Sequence, residues 1–129
     1  MTALYVQFGF VTTQRSLVDF LTEVFGFEEL ASHEVAIGTV VKLKGPGTTV
    51  ANVLVPNEPP RPAVRADPFY AAAGLRYVTI RVDDLNATVE RARARGGRLV
   101  GAVEDIGPVR LAFVEDPEGN CFEVTESRT

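Results

Sequence analysis

The stretch "DPEGNCFEV", Asp116–Val124, has a partner earlier in the same chain: "GPGTTVANV", Gly45–Val53. In both, a proline-glycine turn runs into a short β-like segment. Pro46 falls on Pro117, Asn52 on Glu123 and Val53 on Val124, an offset of 71. A second match supports the first. "YVQFGF" from Tyr5 lies over "YVTIRV" from Tyr77, an offset of 72. The near-equal spacings predict a tandem duplication with one extra residue near the first helix cap.

Each copy reads the same way. In the first, Val6, Phe8 and Phe10 alternate with Tyr5, Gln7 and Gly9, the period of a half-buried strand. A helix follows, capped by Thr12 or Thr13 and carrying Leu17, Phe20, Leu21, Val24 and Phe25 on one face. Gly26 ends it. Three β-like runs come next, around 34–37, 40–44 and 49–55, with "KGPGT" as the last turn. In the second copy Val78, Ile80 and Val82 alternate. Asp83 or Asp84 caps a helix with Leu85, Val89 and Ala92 on its stripe, and Gly96-Gly97 stops it. Strands follow around 98–104, 109–115 and 120–126. The expected fold is α+β: tandem βαβββ modules forming a cup-shaped mixed β-sheet with the helices outside. Module 1 spans 1–57, module 2 spans 75–129, and the two make one domain. Residues 56–74 hold five of the eight prolines, so 58–74 is a linker or flap and no central strand.

One helix covers one face of a four-stranded unit. The other face must close on something, and two modules sharing their uncovered faces predict a concave ligand site. Period 2 puts Tyr5, Gln7, Asn52, Tyr77, Thr79, Arg81 and Glu123 on those faces. Glu123, bracketed by Phe122 and Val124, reads as a pocket anion or general base, or as a carboxylate paired with Arg81 or Arg110. Tyr5 and Tyr77 read as aromatic walls or as rim packing. Asn52 reads as a ligand contact or as a strand amide satisfied locally. Cys121 reads as a buried filler, since no histidine is placed to activate it. Arg91, Arg93, Arg95 and Arg98 read as a solvated face, and Asp67–Gly74, with Phe69 and Tyr70, as a lid or a plain connection.

Composition narrows the classes. The 129 residues are 46% apolar, enough for a real core. Seventeen acids against 13 bases, a formal charge of −4, argue against nucleic-acid binding. One cysteine excludes an internal disulfide, and with one histidine, His33, it excludes a Cys/His zinc cluster. No apolar run reaches the ~20 residues of a membrane span, and "MTALYVQFGF" lacks a basic leader. A soluble protein of a reducing compartment, the cytoplasm, is expected.

"VEDPEGNCFEV", "FLTEVFGFEEL" and "RYVTIRVDDLNATVERARARGGRL" resemble the vicinal oxygen chelate superfamily, which holds glyoxalase I, extradiol dioxygenases, and fosfomycin- and bleomycin-resistance proteins. The resemblance covers all but the proline-rich middle. It implies pairing of modules within a chain or across a homodimer. In metal-dependent members, His or Gln on the first strand and Glu or His on the last strand of each module hold a divalent ion. Those positions fall here on Tyr5, Asn52, Tyr77 and Glu123; a shift of one residue gives Val6 or Leu54. Only Glu123 is a usual ligand, so the resemblance implies no cofactor. The expected function is metal-free binding of a small, partly aromatic or cationic molecule in the cleft between the modules, as in the bleomycin-resistance members. The alternative is a lyase, isomerase or dioxygenase working through a metal or through Glu123 as catalytic acid–base.

Overall fold

The computed structural model describes residues 2–128. They form two compact units, one ending at Arg61 and the other beginning at Pro62. Among the described residues no helix is long and apolar enough to cross a membrane.

Unit 1 contains β1 (Phe8–Val11), α1 (Ser16–Phe25), β2 (Glu28–Val35), β3 (Gly38–Lys44) and β4 (Val50–Pro56). The sheet order is β1-β4-β3-β2. β1 lies parallel to β4, and the other pairings are antiparallel. Unit 2 repeats the pattern with β5 (Val78–Arg81), α2 (Leu85–Ala94), β6 (Arg98–Ile106), β7 (Val109–Glu115) and β8 (Cys121–Ser127), in the order β5-β8-β7-β6. The α+β, βαβββ reading holds in both units.

Alternation decides the layers. In unit 1, Val41, Leu43, Ala51 and Val53 are buried with Leu17, Val18, Phe20, Leu21 and Val24 of α1. In unit 2, Ile80, Ala112, Val114, Phe122 and Val124 are buried with Leu85, Val89 and Ala92 of α2. Each sheet therefore has one apolar face under its helix, and burial of these side chains drives the layer together.

Local chemistry sets the helix ends. Thr12, fully buried, accepts at Oγ1 from Leu17 N–H at 3.0 Å, so it serves the first turn of α1 from outside the cap position, which Arg15 holds. Gly26 closes α1 at φ 74°, where a Cβ is disfavoured, and the next N–H bonds back to the Leu21 carbonyl. Asp84 caps α2 by accepting from Ala87 N–H at 3.0 Å. Glu126 on β8 accepts from Leu85 N–H at 2.9 Å, which ties the helix start to the sheet.

Three expectations need correction. The second strand runs Glu28–Val35, not around 34–37. It is a sheet edge whose eight residues are all exposed, so it carries no apolar alternation to read. The first strand starts at Phe8, not Tyr5. The repeat register also differs. Gly9 pairs with Asn52 as Thr79 pairs with Glu123. Gln7, not Tyr5, is thus the counterpart of Tyr77. The connection from strand to helix is one residue longer in unit 1, residues 12–15 against 82–84, in line with the single extra residue expected near the first helix cap.

The turn between β7 and β8 depends on Asp116, which is 4% exposed. Its Oδ1 accepts from Glu118 N–H and Asn120 N–H, and its Oδ2 from Asn120 Nδ2. Burial pushes its carboxyl above the usual range, although the Asn120 bonds pull it down. Asp116→Ala should lower the unfolding free energy by roughly 2 kcal/mol in urea titrations, because buried donors lose their acceptor. Asp116→Asn should cost less than half of that, since it keeps an acceptor and removes the buried charge.

Candidate functional site

On the face of the unit 2 sheet opposite α2, strand pairing lines side chains up in rows. Thr79, Glu123 and Phe113 form one row across β5, β8 and β7. Arg81, Thr125 and Leu111 form the next. Tyr77 lies just before β5, and Cys121 pairs with Glu115 at the start of β8. Glu123 is half-buried, and its Oε1 accepts from Thr79 Oγ1 at 2.7 Å. Arg81 does not serve Glu123; its Nε donates to Thr125 Oγ1 at 2.8 Å. Arg110 lies on the α2 side of β7, 3.6 Å from Asp105.

The segment before β5 returns over this face. A single 3-10 turn, Phe69–Ala71, presents Phe69 to the sheet. Its ring centroid lies 4.8 Å from that of Phe113 and 5.6 Å from that of Tyr77, and Tyr77 and Phe113 stand edge to face at 5.7 Å. Tyr70 meets Phe69 edge-on at 5.3 Å. Such geometries suit the ring quadrupole. Beside the cluster lies a cavity of about 450 Å³ lined by Phe69, Tyr70, Ala72, Gly74, Leu75, Arg76 and Tyr77. Sequence reading placed Tyr77 on this face and singled out Phe69 and Tyr70, but missed Phe113, Leu75 and Arg76. Phe113 was legible from its alternation with the buried Ala112 and Val114.

Unit 1 carries a polar row in the equivalent place. Asn52 Nδ2 donates to Gln7 Oε1 at 2.8 Å, and Lys42 Nζ donates to Asn52 Oδ1 at 3.1 Å. Lys42 sits directly across from Asn52 on β3. Tyr5 is 77% exposed ahead of β1, beside a cavity of about 300 Å³ with Leu4, Val6, Gln7 and Thr48. His33, paired with Val40 on the β2 edge, is exposed.

A divalent ion of the kind held by the metal-dependent members of the family fits these side chains poorly. Gln7 restores one usual ligand type that the Tyr5 register had missed. The oxygen of Asn52, however, already faces the Lys42 ammonium, and a second cation there meets like-charge repulsion. Tyr77 offers only a phenol whose ring packs in the aromatic cluster. Among the described residues no three His, Cys, Asp or Glu side chains come together as a metal-binding group.

Glu115 anchors the edge of the aromatic face. Only 9% of its side chain is exposed, and its Oε1 accepts from Arg98 Nε at 2.7 Å and from Arg65 Nη2. Arg98, although exposed as expected, is thus also an ion-pair partner of Glu115. Arg65 passes over Gly119, where any Cβ would stand 3.0 Å from the arginine side chain. Through Arg65 the segment leading to Phe69 is fastened to β7.

Cys121 is buried beside this group. Burial first, and then the Glu115 carboxylate, push its thiol up to about 11, against the pull of Arg65 and Arg98. A raised thiol is retained in its neutral form in the native state. Its contribution is complete below the unfolded value near 9 and is lost as pH rises through about 11. Alkylation of native Cys121 by iodoacetamide at pH 8 should therefore run at least tenfold slower than that of the urea-unfolded chain, and native stability should fall between pH 9 and 11. Equal alkylation rates would contradict a buried, neutral thiol.

Comparison with known proteins agrees with this architecture. Residues 8–124 match the family model described as Glyoxalase/Bleomycin resistance protein/Dioxygenase superfamily. Among curated proteins, the lactoylglutathione lyase of Haemophilus influenzae is 35% identical over 68 residues, 49% of this chain and 48% of that protein. The chain spans no more than about half the length of the curated relatives it matches. Among solved structures, a glyoxalase family protein from Bacillus cereus superposes with a TM-score of 0.85 at 19% identity, covering 100% of this chain and 97% of that one. TnmS3, an antibiotic-binding protein from Streptomyces sp. CB03234, gives 0.67 at 24% identity, with 98% of each chain covered. At these identities the solved structures speak for the fold alone. The duplicated βαβββ pattern, its strand order and the family match lead to one conclusion: the chain belongs to the Glyoxalase/Bleomycin resistance protein/Dioxygenase superfamily.

Proposed function

We propose that this protein binds a small, partly aromatic molecule without a metal ion, on the unit 2 face that carries Tyr77, Thr79, Arg81, Phe113 and Glu123. The observation that carries the reading is Phe69. A loop segment places this ring against two aromatic side chains of the sheet and leaves a cavity of about 450 Å³ beside them. That volume lies within the range of small-molecule pockets, which are mostly apolar with a few polar groups. Glu123 and Thr79 supply a polar row next to the rings. On its own corresponding face, unit 1 carries Gln7 and Asn52, hydrogen-bonded to each other, with Lys42 donating to Asn52. The structural neighbour TnmS3, an antibiotic-binding protein, supports a small-molecule ligand. The reading includes a cytoplasmic location, where the single Cys121 stays reduced, and the homodimer implied by the family.

A second reading rests on the likeness to lactoylglutathione lyase. In it Glu123, the one usual metal-ligand carboxylate retained at the four positions, acts as general base or ligand in a lyase or isomerase reaction. The donor set described above favours the first reading.

Ligand binding and metal content decide between them. Saturating aromatic ligand, at about 100 times its dissociation constant, should raise the melting temperature by roughly 10 °C. Phe69→Ala should weaken that ligand about tenfold while leaving the fold's circular dichroism unchanged. Elemental analysis of the purified protein should find metal far below one equivalent. Near-stoichiometric nickel, zinc, iron or manganese that disappears in Glu123→Gln would sink the metal-free reading in favour of the enzyme. Light scattering should report a particle of twice 14.0 kDa.

A further inference from the structure

Arg76 is the odd member of the aromatic cavity. It lines the cavity together with Phe69, Tyr70, Ala72, Gly74, Leu75 and Tyr77. Its Nε is buried, and among the described residues nothing bonds to it. Its Cδ lies 3.9 Å from where a Gly74 Cβ would stand, so the stem passes close to a residue without a side chain. A guanidinium keeps its charge at any physiological pH. Burying one of its N–H groups without an acceptor is costly, and native proteins rarely leave such a group unmatched.

Most other arginines whose contacts are described in unit 2 are matched: Arg65 and Arg98 share Glu115, Arg93 meets Glu90, Arg81 meets Thr125, and Arg128 lies near Asp105. Arg110 also buries an Nε without a hydrogen bond, but the Asp105 carboxylate stands 3.6 Å from it and balances its charge. Arg76 combines an unmatched buried donor with a place on the wall of a cavity that three aromatic rings also line.

We propose that Arg76 recognises an acidic group on the ligand, so that the molecule taken by this site is an aromatic acid: a ring system bearing a carboxylate or an equivalent anionic oxygen. The rings of Phe69, Tyr70 and Tyr77 take the flat part, and the Arg76 guanidinium takes the anion. A guanidinium suits a carboxylate because its N–H groups lie in one plane. The proposal rests on the aromatic-ligand reading above and adds the charge of the ligand.

The test uses the full chain and two probes of the same shape, 2-naphthoate and 2-naphthamide, followed by ligand-observed NMR at low and moderate salt. The carboxylate should bind at least tenfold more tightly than the amide, as expected for a charge-assisted hydrogen bond, and the preference should shrink as salt rises. Arg76→Met should abolish the preference while still binding 2-naphthamide, and Arg76→Lys should retain part of it. Melting curves of both variants report whether the fold survives; if Arg76→Met unfolds, the Arg76→Lys comparison and the wild-type salt dependence carry the test. Equal binding of acid and amide by the wild-type chain overturns the proposal but leaves the aromatic reading standing. A preference that persists in Arg76→Met removes Arg76 from the role. Failure of both probes to bind the wild-type chain overturns the aromatic reading, and this proposal with it.

Discussion

Everything in each unit depends on one constraint: the first strand must lie parallel to the last. A parallel neighbour cannot be reached by a tight turn, so the chain has to leave the sheet and come back. In both units it leaves through a helix, which then covers one face. The remaining three strands return as antiparallel neighbours, joined by short turns such as the one organised by Asp116. The parallel pairs Gly9–Asn52 and Thr79–Glu123 also fix which side chains share a row. A slip by one residue would turn Glu123 into the helix layer and Phe122 out of it. The apolar residues on either side of Glu123 make that slip expensive.

The same constraint gives the two units different chemistry on equivalent frames. In unit 1 the row of the parallel pair is Gly9, Asn52 and Lys42, and the Gln7 amide joins Asn52 from one row back. In unit 2 it is hydroxyl, carboxylate and ring: Thr79, Glu123 and Phe113. Duplication preserved the backbone pairing, because that is what the fold needs. Side chains pointing away from the helix are free of the packing demand and have diverged.

Much of this was legible beforehand. The βαβββ pattern, both helices and the faces of Asn52, Thr79 and Glu123 follow from periodicity, since burial on one face leaves a record in the sequence. β2 left no such record, because an exposed edge strand has no buried side to mark. The Tyr5–Tyr77 match failed for a related reason. Both are tyrosines before an apolar strand, and a short alternating run matches itself again after a shift of two residues. Only the hydrogen-bonded pairing distinguishes those registers, and it sets Gln7 against Tyr77.

The sequence by itself determined the duplication, the α+β class and the side of the sheet on which Glu123 stands. These rest on local periods and turn chemistry, which neighbouring residues express together. Tertiary structure alone decided that Lys42 would meet Asn52, that Glu115 would hold both Arg65 and Arg98, and that Phe69 would reach Phe113. It also decided that Arg76 would be left with a buried, unmatched donor. Each of those contacts joins residues on different strands or loops. Their partners are set by strand register and by the path of the proline-rich segment, and neither leaves a periodic trace.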